Sequence, residues 1–425
     1  MRNRRAFSSA PEVTSVRREV VPAPGVGLRL RVLEMYRGKE SFWTAPRKTR
    51  IRRWFWYIHF YAGLMAGLLW TVVGLTGSFL VFVPELRRLE VPGWTKVQPT
   101  GQPLPIETLA QNLLRERPGD QMNSMYWDFK PDWSLNFRTA APNGDRIHSF
   151  IDPYRGTVLG SVNYQHSAIQ WFYDLHADLL GHETGRKVNA WFAFVLTLAS
   201  TSGILLWWRG VKKWRRGLEF GTKASWKRQS WDLHNIGGFV FYLPLLLLAM
   251  SGGSYGYTAL YRSVTSTLTG GPAEIPPPTV TKMDAPRRSL DEIAESGLRA
   301  LPGSSLSMII FPAKRGDAFS LRLKLPSDPH RIGLNWVYVD PSTARVLRVD
   351  RLGEQPLGVQ VMRLLTPLHY GTIGGYATRI LWLLAGLLPG ILFVTSLLMW
   401  WNRSLSKRRR AIPVRADREP AAARM

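Results

Sequence analysis

Two pairs of histidines recur at one spacing in this chain of 425 residues. His176 lies 31 residues before Trp207-Trp208, and His369 lies 31 residues before Trp400-Trp401. Arg186 and Arg379 each follow their histidine by ten residues. Earlier in each half, His59 and His234 carry a tryptophan at −3 (Trp56, Trp231) and a glycine at +4 (Gly63, Gly238). A hydroxyl-glycine pair follows at +17 and +18, as Thr76-Gly77 and Ser251-Gly252. The chain reads as one unit written twice, with two histidines per unit. Paired imidazoles on facing helices are the axial ligands of a b-type haem. Four matched histidines therefore predict two bis-histidine haem sites and an electron-transfer protein.

The elements that must hold these residues are apolar. Four uncharged runs, Trp54–Pro84, Ala190–Trp208, Asn235–Tyr261 and Ile380–Asn402, each reach the roughly 20 helical residues needed to cross a bilayer. The formal net charge of +26 sits beside these runs, which reads as membrane topology before nucleic acid. Residues before Trp54 hold 14 Lys/Arg, the loop Arg209–Trp231 holds eight, and the segment after Asn402 holds eight. Basic loops stay in the cytoplasm. The expected order is a basic cytoplasmic tail (1–53), TM1 (54–84), an outer segment (85–189), TM2 (190–208), a cytoplasmic loop (209–234), TM3 (235–261), a second outer segment (262–379), TM4 (380–402) and a cytoplasmic tail (403–425). The fold class is a mainly α membrane protein, a four-helix transmembrane bundle from two repeated halves. Pro244 and Pro389 are expected to kink their spans. The tryptophans and tyrosines at the basic ends, including Trp54, Trp56, Tyr57, Trp207, Trp208, Trp400 and Trp401, read as an interfacial belt.

The outer segments repeat as well. Each opens with an amphipathic helix closed by Pro-Gly, over Pro105–Arg117 and Leu290–Leu301. Alternating runs follow, predicted as strands over Trp133–Thr139, Arg146–Ile151 and Gly156–Val162 in the first, and over Leu306–Phe311, Phe319–Leu325, Asn335–Val339 and Arg345–Val349 in the second. Each segment is expected to be a small α+β module of its own. The proline-rich stretch Gly271–Thr279 reads as a linker into the second.

Within the spans, His59 and His234 enter from the same side at matching depth and are expected to share one iron. Gly63 and Gly238, one turn on, would leave room for a porphyrin. His176 and His369 precede TM2 and TM4 and are expected to share a second iron at the outer interface, with Gly181 and Gly374 giving clearance. His166 and His182 lie close enough to compete, and His182 is kept as an alternative ligand. Arg186 and Arg379 either neutralise haem propionates or anchor helix ends. His148 and His330 have no matched spacing and read as surface residues. Each single histidine has an ordinary structural explanation; the repeated spacing is what separates these four from it.

What is missing narrows the class. Cysteine is absent, which excludes disulfides, Cys-ligated iron–sulfur clusters and covalently attached c-type haem. There is no Gly-x-Gly-x-x-Gly after a strand, no P-loop and no HExxH. Electrons would therefore come from a separate donor, a quinol or a soluble reductase.

The segments WYIHFYAG (Trp56–Gly63), LHADLLGHETGR (Leu175–Arg186), WDLHNIGG (Trp231–Gly238) and PLHYGTIGG (Pro367–Gly375), with the two Trp-Trp exits, resemble the PepSY-associated transmembrane family. The resemblance covers roughly Arg53 to Arg403. It implies PepSY-like modules outside the bacterial inner membrane. It also implies a di-haem reductase of ferric siderophores or other ferric chelates. Arg115, Arg117, Lys314, Arg315, Arg322 and Lys324 could attract an anionic ferric complex on the outer face. Two readings compete: a non-enzymatic, membrane-anchored PepSY regulator or binding protein, and a transporter built from repeated halves. The spans contain no Asp, Glu, Lys or Arg and the halves run parallel, which counts against transport.

Overall fold

In the computed structural model the described residues are 46, 49–127, 130–280 and 286–411. The expected basic tail over 1–53 lies almost wholly outside them, as do the last residues of the chain.

Among the described residues three helices are long and apolar enough to cross a membrane: α1 (Ile51–Leu80), α5 (His182–Trp207) and α11 (Gly375–Ala411). The third expected span is broken. α6 (Trp226–Val240) and α7 (Tyr242–Gly256) meet at Phe241 with a bend of 61° and pass the same test only together. Pro244 is the cause. It has no N–H for the carbonyl four residues earlier, at Val240, and its ring crowds that carbonyl. Helix α11 runs unbroken through Pro389. α1 packs against α5 and α11, while α7 packs against α5.

Two helices that the hydropathy pattern did not separate complete the helical layer. α4 (Ala168–Asp178) and α10 (Leu357–His369) end on or near the second histidine of each half. α2 (Val83–Glu90) turns off the end of α1, and α8 (Thr258–Thr269) follows α7.

The two outer modules are one body. Strands β1 (Gln121–Tyr126), β2 (Leu135–Ala140), β3 (Arg146–Ile151) and β4 (Val158–Asn163) belong to the first half. Strands β5 (Ser305–Ile310), β6 (Phe319–Lys324), β7 (Asn335–Val339) and β8 (Val346–Asp350) belong to the second. They form a single antiparallel sheet in the order β4-β3-β2-β1-β5-β6-β7-β8. The β1–β5 pair, with Met125 opposite Ile309, joins the halves. Strand β1 was not expected, because QMNSMY has no apolar alternation to mark it. Its pairing on both edges holds it in place.

One face of the sheet carries α3 (Ile106–Glu116) and α9 (Leu290–Ala300) over a shared core of Leu109, Leu113, Phe137, Ile293, Phe319 and Leu321. The two helices cap each other. Asp291 accepts from the Ile106 and Glu107 amides at 2.7 and 3.0 Å, and Glu107 accepts from the Leu290 amide at 2.9 Å. Carboxylates thus fill the open donors at both helix starts. Arg287 closes the arrangement on Glu107 at 2.8 Å and holds that carboxyl at about 2, well below its ordinary value.

The opposite face of the sheet carries Tyr126, Arg138, His148 and Arg322. This follows from the pleat, since the neighbours Met125, Phe137 and Leu321 belong to the helix-covered core and His148 pairs in register with Arg138. Trp94 lies against Gly160 on β4 and near Phe150 on β3.

Candidate functional site: two histidine pairs

The histidines meet in two pairs, each assembled from both halves. His59 on α1 and His234 on α6 have ring centres 6.0 Å apart with their planes at 88°. His176 on α4 and His369 on α10 have ring centres 6.0 Å apart with their planes at 41°. The second pair is nearer the sheet. It is called here the proximal pair, and the first the distal pair.

Each ring is fixed through Nδ1. His59 Nδ1 lies 2.9 Å from the Ala199 carbonyl, His176 Nδ1 2.9 Å from the Val73 carbonyl, and His234 Nδ1 3.1 Å from the Leu392 carbonyl. A carbonyl only accepts, so these nitrogens donate and carry the proton. His369 Nδ1 lies 3.0 Å from Ser251 Oγ. That hydroxyl spends its own proton on the Leu247 carbonyl at 2.6 Å, so it accepts from the histidine as well. Thr395 Oγ1, 3.1 Å from His234, likewise donates to the Ile391 carbonyl at 2.8 Å. All four imidazoles therefore hold one tautomer, with the proton on Nδ1 and the Nε2 lone pair available to a metal.

The repeated hydroxyl-glycine pair now has a role. Thr76 and Gly77 of α1 seat His176, and Ser251 and Gly252 of α7 seat His369. A Cβ on Gly77 would stand 2.7 Å from His176 Cε1, and one on Gly252 would stand 3.1 Å from His369 Cε1. Gly203 on α5 does the same for His59, at 2.9 Å. Sequence reasoning missed Gly203, whose counterpart at the repeat spacing is not a glycine but Ser396, with its Oγ 3.4 Å from His234 Nδ1. It also missed the carbonyl acceptors, which carry no sequence signal.

The other predicted residues divide. Gly63 and Gly238 have nothing within 4 Å of a Cβ position, so both face open space one turn from the distal pair. Gly181 and Gly374 do not give clearance for a ligand. Their Cβ positions would meet Gly185 and Thr378 of the turn that starts the next helix. Arg379 anchors helix ends: it grips Glu85 with Nη1 and Nη2 at 2.8 and 2.6 Å and donates to the Val81 carbonyl at 2.7 Å. Glu85 is partly desolvated, which raises its pKa, but the Arg379 contacts outweigh that and hold it below the ordinary carboxylate range. Arg186 is half exposed and lies 3.7 Å from Asp178. His182 and His166 are exposed and outside both pairs.

His148 and His330 are not surface residues. His330 is 7% exposed and pushed down to about 4, first by burial and then by Arg322. His148 is half-buried on β3 against Tyr164 and pushed down to about 3 by burial, Arg138 and Arg87. Of the belt tryptophans, Trp54, Trp400 and Trp401 are exposed, but Trp207 is buried. It stacks on Phe239 at 3.8 Å and bonds the Gly217 carbonyl at 3.4 Å, so it packs the helix end against the loop.

Apolar helices of membrane-spanning length beneath an antiparallel sheet define a multi-pass membrane protein with a mixed helix and sheet fold. The chain belongs to the PepSY-associated TM region family, which it matches over residues 56–403. No curated protein matches the chain.

Proposed function

We propose that this protein is a di-haem b oxidoreductase of the bacterial inner membrane. It passes electrons from a donor on the distal side to a ferric chelate, of the siderophore type, on the sheet side. The observation that carries the reading is four histidines arranged in two facing pairs, each with Nδ1 held by a carbonyl or hydroxyl oxygen.

The residues fit the group. Two metal–imidazole bonds of about 2 Å each, with the ring radii added, span roughly 6 Å, and both pairs have ring centres 6.0 Å apart. Among the described residues no three His, Asp or Glu side chains could converge on an ion. Two protein nitrogens per site suit a macrocycle that brings its own four. The open space beside Gly63 and Gly238 suits a flat ring at the distal pair.

Bound haem would supply one-electron redox chemistry at each pair. The chain's own residues do the rest. His59 and His234 would hold the distal group, and His176 and His369 the proximal one. Ala199, Val73 and Leu392 carbonyls and the Ser251 hydroxyl fix the rings and raise the basicity of Nε2. Two imidazoles on each iron would leave no open position, which suits outer-sphere transfer to an acceptor. In this reading α6 and α7 form one bent span, giving a four-helix bundle, and the basic segments place both termini in the cytoplasm.

The test is a spectrum and a reaction. The purified protein should show a b-type Soret band, with two haems per chain by pyridine haemochrome assay. The dithionite-reduced protein should be oxidised by ferric chelates. A colourless protein that is nonetheless folded would leave the non-enzymatic PepSY binding reading in its place.

A further inference from the structure

Against the face of the sheet opposite α3 and α9 lie two arginines, Arg138 and Arg87, whose nearest acidic neighbour is Glu90, three residues after Arg87 and close enough to feel its charge. Arg138 on β2 lies with its Cζ 4.5 Å from the Tyr126 ring centre. Arg87 on α2 lies 4.4 Å from that of Tyr164. Neither arginine makes an ion pair among the described residues, and the Nε of each is buried with no hydrogen-bond partner. Tyr164 is 4% exposed and its hydroxyl is unpartnered too. His148 pairs in register with Arg138 and stacks edge-on to Tyr164 with ring centres 4.8 Å apart.

The internal repeat supplies a control. Arg322 is the fourth residue of β6, as Arg138 is of β2, and it also sits over an aromatic ring, that of Trp336. Its Nε donates to the Gly333 carbonyl at 2.9 Å. The second half satisfies its arginine internally, and the first half leaves the same donor open. A desolvated guanidinium with an unused donor costs free energy unless something arrives to take it. Planar guanidinium donors match the paired oxygens of a carboxylate or a phosphate, and an acceptor chelate or a haem would bring the carboxylate.

We propose that Arg87, Arg138, Tyr164 and His148 form a carboxylate-binding site on the membrane-facing side of the sheet. Tyr173, on α4 one turn before His176, is close enough to Arg87 to feel its charge, so the site adjoins the proximal pair. Two sources of carboxylate fit: the acceptor, as a carboxylate-type ferric chelate, and the propionates of a haem at the proximal pair. The inference shares the proximal pair with the proposed function, but its first arm needs no redox chemistry.

The test uses the full-length protein with Arg138→Gln, Arg87→Gln and Tyr164→Phe, and Arg299→Gln, an exposed residue of α9 on the far face, as control. Titration with redox-inert gallium citrate, followed by tryptophan fluorescence, forms the first arm. Haem content and the midpoint potentials form the second. If the site holds the acceptor, both arginine variants weaken gallium citrate binding at least tenfold, Tyr164→Phe less, and haem content stays fixed. If it holds propionates, gallium citrate is unaffected, and the variants lose proximal haem or shift its potential downward as a positive charge is removed. Either result supports the site. Folded variants that change neither binding nor haem overturn it, as does a wild type that binds no gallium citrate and shows no haem effect. In a protein without haem the first arm alone decides, so failure of the redox reading and failure of this site are separable.

Discussion

His59 and His234 face each other across 6.0 Å with ring planes at 88°, one from each half of the repeat. Neither half makes a site alone. His59→Ala and His234→Ala should therefore each remove the same haem and leave about half the bound total. Haem quantitation on the two variants checks this, and a variant that keeps both haems with an unchanged spectrum would break the pairing. The contrast between 88° and 41° also predicts two distinguishable low-spin ferric signals by electron paramagnetic resonance, the more anisotropic one vanishing in both variants.

At the proximal pair, His176→Ala or His369→Ala should abolish oxidation of the reduced protein by ferric chelates. The distal haem should remain and still accept electrons. His182→Ala should be close to wild type, because His182 is exposed and outside the pair. Stopped-flow traces in the haem α-band separate the three. Loss of the proximal haem in His182→Ala alone would move the ligand by six residues.

The repeat made much of this site legible. A period of 31 residues to a Trp-Trp pair marked His176 and His369, and the Trp-x-x-His-x-x-x-Gly pattern marked His59 and His234. Hydropathy marked α1, α5 and α11 because lipid imposes a length. At α6 and α7 it marked one apolar run, and Pro244, expected to kink that run, bends it by 61° into two helices. Hydropathy failed at β1, whose place depends on β5, far away in the chain. Spacing left Arg186 and Arg379 either to neutralise propionates or to anchor helix ends, because spacing says nothing of counter-charges. Glu85 already occupies Arg379, whereas the Nε atoms of Arg87 and Arg138 have no hydrogen-bond partner.

Substitutions at the seating glycines should act on the haems before the fold. Gly77→Val places branched carbons where the His176 ring sits, with even a Cβ only 2.7 Å from Cε1. It should displace the ring and lose the proximal haem alone. Gly203→Val should lose the distal haem by the same contact with His59. Gly63→Leu meets open space instead, so it should fold normally and exclude the distal haem by filling that space. Haem content beside the thermal midpoint of each variant tests this. A Gly63→Leu protein with both haems at normal stoichiometry would show that the space beside Gly63 is not used.

Acid should loosen the sheet through Glu107. Its carboxyl titrates at about 2 in the fold against an ordinary 4.5, chiefly because Arg287 hydrogen-bonds it, with the Leu290 amide adding to the effect. A carboxyl with a depressed folded pKa contributes stability that is complete above the unfolded value. That contribution is lost as pH falls from about 4.5 toward 2. The pair is partly solvated, with Glu107 20% and Arg287 41% exposed, so the loss should be about 1 kcal/mol. Glu107→Gln keeps the shape and removes the charge. Its melting temperature should lie a few degrees below wild type at pH 7, and the gap should narrow as pH falls through 4 toward 3. Asp291→Ala removes both acceptor oxygens of the reciprocal cap on Ile106 and Glu107 and should lower the midpoint at pH 7 by a similar amount. Melting curves in detergent at pH 7, 4 and 3 decide the point. A gap between wild type and Glu107→Gln that stays constant across that range would show that the Glu107 charge does not stabilise the joined helices.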